Sequence, residues 1–353
     1  MKHIGIDLAK THSNVVVLDA DGGELGRKKI RTSELGTWLE RQKQGDEAVR
    51  VVMETCTQSL AIARVAQRAG LETVVIPGHV IRALGVGARG IKTDDRDAEV
   101  LARASVRTKD LPTVHMRGEQ AQQRRDLLRA RAVLLGVRRG LSLHVKAWLR
   151  ARLLSVRGRA NTTAFCEAVR RVATSSEHGI PVHIEIHLQT FEHLTTQIEN
   201  LDEEIHRETK DDPIIQRLTR ICGVGPQIAA AFVSHIDDPT RFRSADEVGS
   251  YLALVPGEAS TGGNIVRTGT SKAGPTMLKA LLVQGAWSMV RSRPNDPMVV
   301  WAKRIAARRG KRIAIIALAR KLAMVMWAMW KSGTEYDPSK ATSGAGTTEV
   351  LAA

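Results

Sequence analysis

The sequence predicts an α/β domain at the N-terminus, a helical middle region and a smaller α-rich C-terminal domain. Three observations carry this expectation. Short apolar runs alternate with helical stretches up to about residue 110. A basic block and then an acidic block follow, both with helical spacing of their apolar residues. Beyond Asp212 the pattern is helical again, broken by glycine-containing turns. Of the 353 residues 43% are hydrophobic, enough for more than one core, and only 3% are aromatic, so those cores must be built mainly from Ala, Val, Leu and Ile.

At the N-terminus, His3 to Asp7 reads as a strand ending on an acid, Lys10 to Asn14 as a polar turn, and Val15 to Asp19 as a second strand. Asp21-Gly22-Gly23 is a hairpin turn leading to a third strand over Glu24 to Arg31. Ser33 is placed to N-cap a helix through Trp38 and Leu39. Val49 to Glu54 is a buried strand, again ending on an acid. Ser59 to Ala69 is helical, Gly70 stops it, and Glu72 to Ile76 is a strand closed by Pro77-Gly78. A three-stranded meander followed by alternating helices and strands matches the ribonuclease H-like α/β arrangement. Residues 93–107 form a helix with Thr93 as N-cap and an acidic first turn, in which Asp94 and Asp97 share a face while Asp95 and Glu99 point off it. This domain is expected to span residues 1–110.

Residues 111–212 form the middle region. Between 101 and 160 there are fifteen Lys or Arg against three acids, over a helical stripe that includes Leu127, Leu128, Leu134, Leu135, Leu141 and Val145. Arg124, Arg125, Arg129, Arg131, Arg138, Arg139 and Lys146 are the candidate nucleic-acid contacts of this block. Between 181 and 212 the sign inverts, with nine acids against two bases. Phe191, Leu194, Ile198, Leu201 and Ile205 form a short coiled-coil seam there. It either joins subunits or packs within one, and both readings stand. Asp212-Pro213 closes it.

The C-terminal domain spans 213–332. Leu218 to Ala231 has the shape of a helix-hairpin-helix, in which Gly223 and Gly225 allow a tight turn and the next helix start offers N–H groups to a phosphate. Ser260-Thr261-Gly262-Gly263 is a hydroxyl-bearing glycine turn, with Arg267, Lys272 and Lys279 downstream to neutralise a phosphate. A last basic helix carries Lys303 to Lys321, and residues 333–353 are rich in Ser, Thr, Gly and Ala, a composition that predicts a disordered tail.

The chemistry follows from charge. A net charge of +16 attracts polyanions, nucleic acid first. Against that background Asp7, Glu54, Asp94 and Asp97 converge at one edge of the predicted sheet. Four carboxylates there repel one another unless a divalent cation lies between them, and oxygen donors suit Mg2+, with Mn2+ as the alternative. Cys56, Cys166 and Cys222 have no metal-ligand spacing and form no disulfide framework. The N-terminus enters a strand at once, so no signal peptide is expected. The apolar run Ile313 to Trp330 is interrupted by Arg320 and Lys321 and reads as a buried helix, so neither membrane partner nor span is expected. A cytoplasmic protein follows.

These residues carry a resemblance. Gly5 to Lys10, Met53-Glu54-Thr55 and Lys92 to Glu99 resemble the motifs of the DEDD transposases of insertion-sequence family one-ten, relatives of the Piv-type DNA invertases. The stretch from Gly223-Val224-Gly225 through Phe242, Leu254-Val255-Pro256, Ser260-Thr261-Gly262 and Ser271 to Gly274 is similar to the C-terminal domain of the same family. The resemblance implies a RuvC-like N-terminal domain in which Asp7, Glu54, Asp94 and Asp97 are the four metal-binding acids. It implies a serine nucleophile on DNA: Ser260, with Thr261, which abuts Gly262, as the alternative. It implies donor and target DNA as partners, a structured guide RNA, a homo-oligomer (dimer or tetramer) and a bacterial cytoplasm. Rival expectations are a RuvC-like junction nuclease using activated water, a sugar-kinase or actin-like ATPase, and a non-catalytic nucleic-acid-binding scaffold.

Overall fold

The computed structural model describes residues 1–43, 47–81, 94–158, 160–176, 179–258, 267–270 and 274–339, in two units, Met1–Met116 and Arg117–Ala353. The first unit contains β1 (Lys2–Asp7), β2 (His12–Leu18), β3 (Glu24–Arg31), α1 (Leu35–Glu40), β4 (Val49–Glu54), α2 (Ser59–Arg68), β5 (Glu72–Ile76), α3 (Gly78–Ile81) and α4 (Asp94–Arg107). The sheet order is β3-β2-β1-β4-β5. β1, β2 and β3 pair antiparallel, whereas β1, β4 and β5 are parallel. This mixed sheet is compatible with the ribonuclease H-like arrangement.

Alternation along the strands makes both faces apolar. Ile4, Ile6, Val51, Met53 and Val75 pack with Leu35, Leu39, Ala63 and Ala66 of α1 and α2. Val16, Leu18, Val52, Val74 and Ile76 face the other way, where Ala98, Leu101, Ala102 and Ala104 of α4 cover them. Each Val, Leu, Ile or Met side chain among these contributes about 1.5–3 kcal/mol when fully buried. A sheet covered on both faces explains why β4, apart from Arg50, which pairs with Glu72, is apolar up to its terminal acid. The hairpin turn after β2 is held by Asp19, whose Oδ1 accepts from the N–H groups of Asp21 (3.0 Å) and Gly23 (2.7 Å).

Two details differ from expectation. β2 begins at His12, inside the predicted polar turn, because Ser13 is buried and hydrogen-bonded to Thr32. Ser33 caps no helix; it lies inside a 3-10 turn, Thr32–Glu34, and α1 starts at Leu35 without a side-chain cap.

The second unit is helical: α5 (Glu119–Arg150), α6 (Ala164–Thr174), α7 (Val182–Thr209), α8 (Pro213–Leu218), α9 (Pro226–Ile236), α10 (Ala245–Tyr251), the short pair β6 (Pro256–Glu258) and β7 (Arg267–Thr270), then α11 (Thr276–Ser292), α12 (Pro297–Arg309) and α13 (Lys311–Ser332). α9 is its centre: residues 228–236 are all buried. α5 packs against α7, and Phe191, Ile198 and Ile205 of the predicted seam are buried within this one chain. Asp212 caps α8 rather than only closing α7, accepting from Ile214 N (3.0 Å) and Ile215 N (3.2 Å).

The single basic helix expected at the C-terminus is two helices, α12 and α13, because Gly310 adopts φ +86° between them. By length and composition α13 could cross a membrane, yet nine of its residues, from Ala314 to Met329, are buried in the core of this unit. The tail is anchored at its start. Glu335 pairs with Arg220 (2.8 Å), and Tyr336 donates to Asp296 Oδ2 (3.1 Å). The aromatic ring of Tyr336 packs against the core, which a Ser- and Gly-rich composition hides.

Candidate functional site

Asp7 and Glu54 end neighbouring parallel strands, β1 and β4, in matched register: Ile6 is level with Met53. Both carboxylates therefore leave the same edge of the sheet. α4 reaches that edge from above. A Cβ on Gly5 would lie 2.1 Å from Ala98 O and 2.5 Å from Ala102 N, so only glycine lets α4 press onto β1 here. His3 Nδ1 lies 2.8 Å from Ser105 Oγ, one step back along β1 and one turn on along α4. The contacts run in opposite directions along the two elements. α4 is antiparallel to β1, and its N-terminal turn, with Asp97 and the backbone of Asp94, lies toward the end of β1 that carries Asp7.

The loops that follow the two strands are pinned. Thr32 Oγ1 donates to Ala9 O (2.8 Å), so Ser13 Oγ donates to Thr32 Oγ1 (2.8 Å) and accepts from Ala9 N (3.4 Å). After Glu54, Thr55 donates to Ile76 O through both N and Oγ1, each at 2.9 Å. Ser59 Oγ closes the next turn by accepting from Cys56 N (3.1 Å) and donating to Cys56 O (2.9 Å). Glu54 Oε1 lies beside Gly78, 3.0 Å from where a Cβ would be. Ser13, Thr32, Thr55 and Ser59 thus set the carboxylates' backbone; sequence reasoning missed them, since isolated hydroxyl residues carry no periodic signal.

Glu99 is engaged elsewhere. It takes Arg27 Nη2 and Arg103 Nε, each at 2.8 Å, and these guanidiniums, Arg27 first, hold its carboxyl below the usual carboxylate range. Asp7, Glu54 and Asp97 are each partly exposed. Among the described residues no three His, Cys, Asp or Glu side chains are grouped closely enough to hold a metal ion. The side chain of Asp94 lies outside those residues. The donors at this edge are hard carboxylate oxygens, a chemistry suited to a divalent cation.

The basic helix is more divided than its charge predicts. Arg124 Nη1 donates to Asp212 Oδ2 (2.7 Å) and its Nη2 to Glu208 O (3.1 Å), and the residue is buried. Arg131 pairs with Asp202, and Arg138 Nη1 donates to Thr195 Oγ1 (3.2 Å). These three candidate contacts hold α5 to α7 instead of facing solvent. Their seven-residue spacing places them on one helix face, opposite partners that run backwards along α7. Arg125 is buried as well, whereas Arg129 and Arg139 are exposed. Lys146 lies over the Phe165 ring at 5.7 Å.

Gly223 adopts φ +87° in the turn between α8 and α9, and a Cβ there would lie 2.4 Å from Gly285 O, so this glycine serves close packing on α11. Gly225 is the N-cap of α9, and among the described residues no atom lies within 4 Å of where its Cβ would be. Ser260, Thr261 and Lys272 lie outside the described residues, as does the side chain of Arg267, whose backbone starts β7. Lys279 donates to Ala253 O (2.8 Å).

Known proteins share both parts of the chain. A family model for the DEDD transposase of IS110 matches residues 4–152, and one described as Transposase IS116/IS110/IS902 family matches residues 215–298. A probable family 20 transposase of Pseudomonas aeruginosa is 28% identical over 96% of this chain and 99% of its own length. The transposase for insertion sequence element IS1328 of Yersinia enterocolitica is 28% identical over 94% of this chain and 98% of its own. The transposase for IS1111A of Coxiella burnetii is 28% identical over 93% and 89%.

Proposed function

Because the chain belongs to the IS110/IS116/IS902 family of transposases, we propose that it cuts and rejoins DNA through a phosphoserine intermediate. The observation that supports this reading best is the pairing of Asp7 and Glu54 at the ends of adjacent parallel strands, with the N-terminal turn of α4 over the same edge.

In this reading Asp7, Glu54, Asp94 and Asp97 would hold a divalent cation, Mg2+ with Mn2+ as the alternative. Bound there, such an ion stabilises charge developing on phosphate oxygens. Ser260 Oγ gives up its proton and attacks the scissile phosphorus. The Oγ–P bond forms, the bridging P–O bond breaks, and the departing strand leaves with a free hydroxyl. A DNA hydroxyl then attacks the same phosphorus and releases Ser260, so the number of phosphodiester bonds is conserved and no nucleotide is consumed. Thr261 takes this part if Ser260 does not.

The reading extends to partners. The glycine turn before α9 would receive a backbone phosphate as a helix-hairpin-helix does. A structured RNA of the element would pair with donor and target DNA while the protein reads backbone shape. The exposed Arg129 and Arg139 suit such a partner. A homo-oligomer acting in a bacterial cytoplasm completes it.

The test is adduct trapping with suicide DNA carrying a nicked junction. Wild type should yield a covalent protein–DNA species that Ser260→Ala abolishes while Asp7→Asn suppresses its formation without unfolding the chain. If Ser260→Ala combined with Thr261→Ala still cleaves, the nucleophile is water and the enzyme acts as a junction nuclease. If Asp7→Asn and Glu54→Gln leave cleavage untouched, the acids are structural.

A further inference from the structure

Arg125 lies near the start of α5, and its residue is only 9% exposed. Its Nε and Nη1 are buried and have no hydrogen-bond partner among the described residues. An arginine buried in this way forgoes solvation without gaining a counter-charge, a costly arrangement unless an anion completes it.

The surroundings explain why the described residues supply none. α5 packs on α9, whose last carbonyls are the obvious acceptors. They have other donors. Ala231 O receives His235 Nδ1 (2.7 Å), and Ala230 O receives Ser234 Oγ (2.7 Å). Val233 O receives Asp237 N (2.7 Å), and His235 O receives Tyr251 Oη (3.2 Å). Ile236 O receives Asp238 N and Arg241. The acid next to Arg125 in sequence, Asp126, is taken up by Gln122 Nε2 at 3.0 and 3.1 Å. Asp237 Oδ2 accepts from Gly118 N (3.1 Å).

The charges nearby add to the demand. Burial first, then repulsion from Arg117 and Arg129, pulls the Arg125 guanidinium down to about 10, with Tyr251 and Asp126 opposing weakly. Burial and the same three arginines push His235 down to about 4, so it stays neutral and adds no competing cation.

We propose that Arg125, flanked by Arg117 and Arg129 at the foot of α5, is a seat for one phosphodiester group of bound nucleic acid. The side chain turns outward to offer its unpaired guanidinium N–H groups to a phosphate oxygen in a charge-assisted bond, and Arg129, on the exposed face one turn further along α5, meets the same backbone. The inference rests on the nucleic-acid reading above and names one anchoring point within it.

The test measures binding of the full chain to duplex DNA of mixed sequence across a salt series, for wild type, Arg125→Met and Arg125→Lys. The expected result is an affinity loss of about tenfold or more for Arg125→Met, a log–log salt slope reduced by about 0.9, and partial recovery in Arg125→Lys. Melting temperature is followed in parallel. Arg125→Met should melt no lower than wild type without nucleic acid, since it removes an uncompensated buried charge, and should gain less from added DNA. Equal affinity and equal slope in Arg125→Met overturn the seat while leaving the transposase reading intact. Absence of DNA binding by wild type defeats the reading itself. A parallel arm uses inorganic phosphate: if phosphate stabilises wild type but not Arg125→Met while DNA binding is unchanged, the site serves a free phosphate and the assignment to nucleic acid is overturned.

Discussion

Gly5 and Ala98 meet so closely that a methyl group on Gly5 would lie 2.1 Å from the Ala98 carbonyl oxygen. That contact ties the strand of Asp7 to the helix of Asp97. Gly5→Ala must push α4 away from the sheet or distort β1, because the obstacle is backbone and not a flexible side chain. A destabilisation of about 1–3 kcal/mol or more is expected from overpacking of this kind. Urea denaturation gives the value; activity per folded molecule should fall further, as the acids on the two elements separate. Unchanged stability would mean that α4 is not held on β1 as described.

Arg124 provides a second prediction. Arg124→Ala leaves Asp212 without its buried partner and uncovers Glu208 O, so about 3–5 kcal/mol of stability should be lost. Arg139→Ala, on the exposed side of the same helix, should alter stability by less than about 0.5 kcal/mol and weaken DNA binding instead. Denaturation and DNA titration of both variants separate the two classes of arginine. If Arg124→Ala binds DNA poorly at full stability, its charge is spent on DNA and not on α7.

How far the sequence disclosed these features depends on the kind of signal. The strand ends at Asp7 and Glu54 were legible because apolar runs stop on an acid and the turns after them are polar. The proximity of α4 was legible only through its acidic first turn, because the role of Gly5 in letting the helix approach is set by contacts that no sequence pattern shows. The basic helix was misjudged because charge was counted along the chain: the seven-residue spacing of Arg124, Arg131 and Arg138 was present, but the acids that answer it lie far away in sequence. Gly310 splits the last helix through a positive φ that composition does not reveal. The strap formed by Glu335 and Tyr336 depends on Arg217 of α8, Arg220 in the turn after it and Asp296 at the N-cap of α12, all distant in sequence.

His235 predicts a pH dependence. It is buried on α9, and burial, with Arg125, Arg117 and Arg129 beside it, lowers it from 6.5 to about 4. The unfolded chain takes up this proton first, so His235 contributes stability that is fully present above pH 6.5 and is lost as the pH falls toward 4 and below. The loss is on the order of 3 kcal/mol. His235→Leu should flatten this part of the curve. The difference between wild type and variant, followed by denaturation from pH 8 to pH 4, removes the contribution of carboxylates titrating in the same range. Parallel curves would place His235 in contact with water.

Gly78 tests how finely Glu54 is set. A Cβ at Gly78 would stand 3.0 Å from Glu54 Oε1 and meet no other atom of the described residues within 4 Å. Gly78→Ala therefore leaves the cores alone and asks only that the carboxylate give way by a few tenths of an ångström. Stability should change by less than about 1 kcal/mol. If Glu54 acts as a metal ligand, displacement of its oxygen should raise the Mg2+ concentration needed for half-maximal cleavage and lower the rate by about tenfold, since misplacement of reacting groups on this scale is costly. The measurement is a metal titration of adduct formation in wild type and Gly78→Ala, with Glu54→Gln as the reference for complete loss. A Gly78→Ala enzyme with the wild-type metal requirement and rate would show that the position of Oε1 does not matter to the reaction, and Glu54 would then be a strand-end carboxylate without a catalytic part.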